Sequence, residues 1–425
     1  MKIIDIRNAP VPPGLLSRPV IDNRSLELSV ANILKEVKDN GDEAVKRFSL
    51  MFDKVAADKL EVNPVEIEEA AGLIGPALKE AIRQAANNIR TFHDRQLHAE
   101  TPVETMPGVT CWRKAVAIEK VGLYIPGGTA PLFSTLLMLG IPAMIAGCKE
   151  IILCSPPDAK GNLHPAILFA AKTVGVTRIF KVGGIQAIAA MAYGTDSIPQ
   201  VYKIFGPGNQ YVMCAKQLIQ KDGIAIDMPA GPSEVAVYAD ASANPAFVAA
   251  DLLSQAEHGP DSQVVLVSPS RSVVDSILSA LEQQLEDLPR KEIARKALDN
   301  SRAFLVNDRQ GAMALLNEYA PEHLILACED PEELSEQVIN AGSVFLGHFS
   351  PESVGDYASG TNHTLPTNGY AKAYSGVSLD SFVKKITFQQ LTKDGIREIG
   401  PMVELMAEAE GLQAHANAVR VRLNS

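Results

Sequence analysis

Four histidines lie beside carboxylate or amide side chains in segments that are far apart along the chain. They are His258 with Gln255 in DLLSQAEHGP, His323 with Glu322 in APEHL, His363 with Asp356 in GDYASGTNHTLPT, and His415 with Glu410 in AEAEGLQAH. Imidazole nitrogens, carboxylates and amide oxygens are suitable ligands for a divalent metal, and a Glu–His pair can perform acid–base chemistry. No short motif can surround an ion, so a metal site would have to gather several of these segments.

Two of these pairs also have simpler interpretations. The spacing predicts a helix over Pro245–His258, capped by Asn244, which places His258 in its last turn. A histidine there can simply cap the negative end of the helix. The Glu322–His323 pair precedes a predicted buried strand, where the acid could be solvated and the imidazole packed. The residues alone leave both alternatives open.

Glycine-rich turns end three predicted strands in the middle of the chain. They are GGTA at 127–130, GGIQA at 183–187 and GPGNQY at 206–211. Turns of this kind at one edge of an open α/β sheet can face the phosphates of a nucleotide. The third turn lacks the last glycine of the dinucleotide-binding fingerprint. A nucleotide site and ordinary tight turns therefore both remain open from spacing alone.

The composition excludes several classes of protein. Of 425 residues, 46% are hydrophobic and 21% are charged, which is typical of folded globular domains. The net charge of −11 argues against a nucleic-acid partner. Five cysteines without a Cys-x-x-Cys pair predict buried thiols rather than a disulfide framework, a cysteine zinc site or a covalent nucleophile. The charged N-terminus does not look like a signal peptide, so we expect a cytoplasmic protein.

One uncharged stretch, 121–148, is long enough to cross a bilayer. Glycines and prolines interrupt it repeatedly, and backbone groups freed by such breaks cannot be satisfied in lipid. We therefore predict a buried strand, loop and helix of a sheet domain, and no membrane association.

The remaining elements predict an α/β fold that positions these residues. Helical periodicity dominates 22–99, and short apolar strands then alternate with helices, including a strand over Val116–Ile125, up to Leu346. Such alternation indicates open parallel-sheet units. The segment 350–380 is predicted to be loop, and Met402–Leu423 to be a helical tail. The predicted division is a helical N-terminal region at 1–114, sheet units at 115–232 and 233–348, and a loop-rich segment with its tail at 349–425.

Long stretches of this sequence resemble the histidinol dehydrogenase family. The resemblance covers most of the chain, in the expected order, and is weakest before residue 115. The motifs are VGLYIPGGTAPLFSTLLMLGIPA, KVGGIQAIAAMAYGT, IFGPGNQYV, DMPAGPSEV, DLLSQAEHGPDSQV, APEHL, NAGSVFLG, DYASGTNHTLPT and AEGLQAHANAV.

This resemblance implies a pair of incomplete Rossmann-like domains and a homodimer whose tails are exchanged between subunits. It implies a zinc site in which the last histidine comes from the partner, an NAD site and L-histidinol as substrate. The implied zinc ligands are Gln255, His258, Asp356 and His415, and the implied NAD contacts are Tyr124, Gln186 and Asn209. The implied substrate contacts are Ser233, His323, His363 and Glu410 together with the zinc ligands.

The resemblance further implies a two-step oxidation of L-histidinol through L-histidinal to L-histidine, the last step of histidine biosynthesis. His323 would act as the base and Glu322 would activate a water molecule. A related dehydrogenase of another small primary alcohol, such as a sulfonated diol, is the main alternative. A non-catalytic binding protein that keeps the fold is a second one, and the intact Glu322–His323 pair argues against it.

Overall fold

The computed structural model describes residues 1–7, 14–18, 24–56, 59–97, 99–127 and 131–425. Residues 128–130 of the GGTA turn lie outside this part. The described strands are β1 (Lys2–Asp5), β2 (Val103–Met106), β3 (Val109–Ala117), β4 (Lys120–Tyr124), β5 (Glu150–Ser155), β6 (Arg178–Lys181), β7 (Lys203–Phe205), β8 (Ala225–Ile226), β9 (Glu234–Ala239), β10 (Gln263–Ser268), β11 (Arg302–Leu305), β12 (His323–Ala327), β13 (Ser343–Leu346) and β14 (Val383–Leu391).

The described helices connect and cover these strands. They are α1 (Arg24–Phe52), α2 (Pro64–Gly72), α3 (Pro76–Asp94), α4 (Phe133–Ala146), α5 (Pro165–Thr173), α6 (Gly184–Tyr193), α7 (Gln210–Ile219), α8 (Pro245–Ala256), α9 (Arg271–Asp287), α10 (Lys291–Asp299), α11 (Arg309–Tyr319), α12 (Pro331–Ser335), α13 (Glu352–Tyr357), α14 (Lys393–Ala409) and α15 (Gln413–Leu423). Helix α1 is kinked at Gly41, which has a positive φ of 52°.

The first parallel sheet has the strand order β6-β5-β4-β7-β8. Side chains on β5 alternate between two apolar clusters. Ile151 and Leu153 pack with α3, α4 and α5, whereas Ile152 and Cys154 pack with α1, α6 and α7. Successive side chains of a strand point to opposite faces, so this sheet is covered by helices on both sides.

The second parallel sheet has the order β1-β11-β10-β9-β12-β13. It too is buried on both faces: Val235 and Val237 of β9 pack with α8, α9 and α10, and Ala236 and Tyr238 with α11. Its edge strand β1 pairs with β11, so the start of the chain belongs to this sheet. The sequence patterns had predicted no strand there.

A small antiparallel sheet has the strand order β14-β3-β2. The single strand predicted over Val116–Ile125 is wrong, because β3 ends at Ala117 and β4 begins at Lys120 in a different sheet. The predicted boundary after residue 114 thus falls inside β3. Helices α14 and α15 form a hairpin after β14, and the predicted helical tail is confirmed with a break at Gly411.

The predicted burial of the thiols holds for Cys154, Cys214 and Cys328, whereas Cys111 and Cys148 are half-buried. All five cysteines are free, and burial raises the pKa of the Cys154 thiol well above its usual value. Such a thiol is a poor nucleophile. Across the described residues, we find no helix with both the length and the apolar character that a bilayer crossing needs.

Candidate active site

The predicted acid–base pair lies at the amino end of the second sheet. His323 is the first residue of β12, and Glu322 comes directly before it; both side chains are buried. The neighbouring strand β9 begins at Glu234, and His323 is paired in register with Val235. The strand ends therefore hold the pair against Glu234. The prediction of an acid solvated in a loop is excluded for this chain.

The His323 ring is held on one side by backbone and amide groups. Its Nδ1 lies 3.1 Å from the carbonyl oxygen of Glu234 and 3.0 Å from Nε2 of Gln255. Nδ1 can donate to the carbonyl in one tautomer or accept from the amide in the other. The ring can therefore exchange a proton without turning, which suits a general base.

Two carboxylates of α13 face the other side of this ring. Nε2 of His323 lies 3.5 Å from Oδ1 of Asp356. Ligand atoms of His323, Glu352 and Asp356 all lie within 4.8 Å of one another. Glu352 and Asp356 are four residues apart and so share one face of the helix. The sequence patterns had placed Asp356 in a loop, and the structure corrects this to a short helix.

Sequence reasoning missed Glu352 altogether. Its side chain is 1% exposed, and its Oε2 has no hydrogen-bond partner in the part of the chain that the structure describes. The available signal was the four-residue spacing to Asp356 in PESVGDY, which is helical. Gly355 in the same segment favoured a loop instead.

The electrostatics of this cluster combine burial with an excess of carboxylates. Burial disfavours a charged His323 ring, but the carboxylates around it outweigh this effect and raise its pKa to about 10. Burial raises the pKa of Glu322 to about 8, against the attraction of His323. Burial likewise raises the pKa of Glu352 to about 8. Burial also disfavours a charged Asp356, but His323 holds the pKa of that carboxyl below its usual range.

Unpaired polar atoms in the cluster fit a divalent cation. Nε2 of Gln255 donates to the carbonyl of Glu234 at 3.2 Å, which fixes the amide and leaves its buried Oε1 without a partner. Nε2 of His323 and Oε2 of Glu352 are also buried without a hydrogen bond. Orphaned buried acceptors are costly. An amide oxygen, an imidazole and carboxylates together are ligands that zinc accepts.

Two further histidines border this cluster. His363 donates from Nδ1 to the carbonyl of Asp356 at 2.7 Å and accepts at Nε2 from the Thr135 hydroxyl at 3.0 Å. Desolvation by surrounding residues lowers the pKa of His258, and Asp356 opposes this shift. The His258 side chain is nevertheless exposed, so it lies at the open rim of the cluster.

The predicted NAD contacts line one large cavity at the carboxyl edge of the first sheet. Its volume is about 1420 Å³, and Tyr124, Gln186 and Asn209 are all part of its wall. The Tyr124 hydroxyl accepts from the Gly184 amide at 3.0 Å. Asn209 caps α7 by accepting from two backbone amides. Helix starts at such an edge are suited to anionic groups.

The turn before α7 is fixed by a buried ion pair. Gly206 has a φ of 127°, and a side chain there would meet the Tyr124 carbonyl oxygen at 2.0 Å. Lys216 donates to the Gly206 carbonyl at 2.7 Å, and Asp227 accepts from the Gly206 amide at 2.8 Å. Lys216 and Asp227 contact each other directly and are both buried. Only glycine fits here, and the pair holds it against Tyr124.

Comparisons with known proteins match this chain over nearly its whole length. A model of the histidinol dehydrogenase family matches residues 16–423. The chain belongs to the histidinol dehydrogenase family. The histidinol dehydrogenase of Bacteroides thetaiotaomicron is 61% identical over 425 residues, covering 100% of this chain and 99% of the relative. That of Bacteroides fragilis is 62% identical over 409 residues, covering 96% of both chains.

A solved structure confirms the fold of this family member. The crystal structure of histidinol dehydrogenase from Elizabethkingia anophelis has a TM-score of 0.97 and 54% identity, covering 100% of this chain and 98% of that one. The predicted α/β fold with parallel sheets is therefore confirmed. The family is one of oxidoreductases.

The single chain gathers most of the predicted site residues. Gln255, His323 and Asp356 lie in contact, His258 and His363 border them, and Ser233 precedes Glu234 directly. Glu410 and His415 lie elsewhere: both are exposed on the α14–α15 hairpin. Among the described residues, their side chains make no hydrogen bond or ion pair. Their predicted roles stay predictions that concern a second subunit.

Proposed function

We propose that the protein oxidises L-histidinol through L-histidinal to L-histidine, passing two hydrides to two molecules of NAD. Family membership supports the substrate. The observation that carries the chemistry is the cluster of Gln255, His323, Glu352 and Asp356, in which three buried polar atoms have no hydrogen-bond partner among the described residues. Such a cluster next to a large cavity is the pattern expected for a cation and a cofactor.

A chain of contacts links the cavity wall to the cluster. Pro131 lines the cavity, and α4 begins two residues later. Thr135 on the first turn of α4 donates to His363, which donates to the backbone of Asp356. One short path thus joins the proposed NAD wall to the proposed metal site.

In the first oxidation, we propose that His323 removes the hydroxyl proton while the carbon gives its hydride to NAD. Among the described residues Nε2 has no hydrogen-bond partner, so it can accept that proton. The opposite nitrogen is anchored by Glu234 and Gln255, which keeps the ring in place. The products are the aldehyde, NADH and a proton.

In the second oxidation, Glu322 removes a proton from water as the water oxygen adds to the aldehyde carbon. The resulting hydrate anion loses a hydride to a second NAD and its remaining hydroxyl proton to His323, which yields the carboxylate of L-histidine. Glu322 is oriented for this task by the Glu234 amide, which donates to its Oε2 at 2.8 Å. Oε2 of Glu322 lies 3.7 Å from Nδ1 of His323.

We propose zinc as the metal, held by Gln255, His258 and Asp356, and by His415 of the partner subunit. Zinc, when bound, would orient the imidazole and amino group of the substrate and supply positive charge that favours a neutral His323. Glu352, Glu410 and Ser233 supply polar groups for the substrate, and a carboxylate pairs well with its ammonium.

A homodimer would bring the tail to this site. Helix α14 exposes Met402, Leu405 and Met406, which are 50%, 70% and 60% accessible. These residues recur at helical spacing, so the exposed face is continuous. A continuous apolar face is typical of a surface that another chain covers. We propose that the tail packs on a second copy and delivers Glu410 and His415.

The test is NADH formation from L-histidinol by the purified protein, with its metal content measured in the same sample. We expect two NADH per histidinol, loss of activity on chelation, and recovery on adding zinc. NADH formation from a sulfonated diol but not from L-histidinol, tested in parallel, would identify the related dehydrogenase instead. Absence of NADH with a metal-loaded sample would contradict the proposed function.

A further inference from the structure

The largely buried side chain of Arg18, which is distant from the site in sequence, binds Glu234, whose backbone contacts both Glu322 and His323. Arg18 contacts both carboxylate oxygens of Glu234, from Nε at 2.6 Å and from Nη2 at 2.8 Å. Nη2 also donates to the Tyr319 carbonyl at 2.7 Å, and the guanidinium lies 4.0 Å from the centre of the Tyr319 ring. The two charged side chains are 13% and 2% exposed. Such a planar, two-point contact fixes both partners in position.

Glu234 in turn holds both members of the catalytic pair through its backbone. Its amide donates to Glu322 at 2.8 Å. Its carbonyl oxygen lies 3.1 Å from the His323 ring and accepts from Gln255 at 3.2 Å. A small displacement of the Glu234 backbone would therefore move the His323 base, the Glu322 acid and the Gln255 amide together.

We propose that Arg18 and Glu234 are positioning residues for the oxidation. The inference rests on the proposed function, since it takes Glu322 and His323 as the catalytic pair. Arg18 fixes the start of β9 through the Glu234 carboxylate. It also fixes the segment that leads into β12 through the carbonyl of Tyr319. The two strand ends that carry the chemistry are thus joined by one side chain that touches no reacting atom.

The test compares Arg18→Met, Glu234→Gln and the double variant with the wild type. We expect kcat to fall about tenfold to hundredfold in each, since displacements near 1 Å cost that much. KM for NAD should change little, because the cavity wall is untouched. Arg18→Lys should retain part of the activity, since it keeps the charge but loses the two-point contact.

Arg178 offers a control that makes the same kinds of contact, although its ion pair with Glu61 is more exposed, at 38% and 43%. Its Nε and Nη2 each lie 2.7 Å from the Glu61 carboxylate, and Nη2 donates to the Ser197 carbonyl at 3.0 Å. The guanidinium also lies 5.0 Å from the centre of the Phe180 ring. Arg178→Met removes the same kinds of contact away from the site, and we expect wild-type kcat.

Two outcomes would overturn the inference. One is a kcat for Arg18→Met equal to that of Arg178→Met. The other is a double variant with wild-type kcat, because the loss in Arg18→Met would then come from the unpaired Glu234 charge. If Arg18→Met fails to fold, the double variant and Glu234→Gln still decide the question, since neither buries a lone carboxylate.

A second measurement does not depend on turnover. In protein labelled with ¹⁵N-histidine, the ring signals of His323 are assigned by their loss in His323→Asn. We expect the chemical shifts of these signals to change in Arg18→Met and to remain unchanged in Arg178→Met. Unchanged chemical shifts in Arg18→Met would contradict the inference. If the wild type forms no NADH from histidinol, the proposed function fails while this measurement still tests the positioning.

Discussion

A site shared between two copies of the chain predicts complementation between two inactive variants. His323→Asn disables the base on β12, and His415→Asn removes the exposed imidazole on α15. If His415 serves the site of the other subunit, a heterodimer of these variants places both defects in one site. Its second site is then intact. We expect each variant alone to be nearly inactive and the pure heterodimer to have about half of the wild-type activity.

The assay uses co-expression with two different affinity tags, purification over both columns, and NADH formation per dimer. The control pairs His323→Asn with Gln255→Ala. These two side chains contact each other in one chain, so each site of that heterodimer keeps one defect and no activity should return. An inactive heterodimer of the His323 and His415 variants would refute the shared site.

Three further substitutions test single groups of the proposed site. Glu322→Gln should slow the second oxidation about 10²–10⁴-fold and spare the first, since only the second needs water activated, and one NADH per histidinol with accumulated aldehyde would show this. Glu352→Gln should weaken zinc binding about 10–100-fold, because Glu352 lies beside the proposed ligand Asp356 and its negative charge favours the cation. Competition with a chelating dye measures this affinity, and an unchanged value would show that Glu352 does not support the metal site. Asn209→Ala should remove the cap of α7, lower the free energy of unfolding by about 1 kcal/mol and raise KM for NAD, checked by denaturant titration and kinetics; an unchanged KM would separate this cap from the cofactor.

Local signals in the sequence were sufficient to predict most strands and helices of the two parallel-sheet units. Asn244 caps α8 as predicted, with its side chain accepting from the Ala246 amide at 2.9 Å. The helix then ends at Ala256, two residues before the predicted end. Strands that are buried on both faces can be recognised in the sequence as runs of apolar residues. In β9 every residue after Glu234 is apolar.

Features that depend on distant partners could not be predicted from local patterns. Strand β14 pairs with β3 across most of the chain, and nothing within Val383–Leu391 indicates that partner. Strand β1 is short and pairs with β11 at a sheet edge. The convergence of Gln255 with His323 follows from the adjacency of β9 and β12, which spacing along the chain does not reveal.

The cluster around His323 and the proposed cofactor cavity lie on different sheets. The cluster lies at the amino ends of its strands, whereas the cavity lies at the carboxyl ends. The cluster is built on the amino ends of β9 and β12 with α8 and α13, and the cavity on the carboxyl ends of β4 and β7. Changes that redesign the pocket for a different alcohol can therefore leave the wall of the cofactor cavity untouched. Libraries for engineering such variants would randomise residues around the cluster and inherit an unaltered dinucleotide pocket.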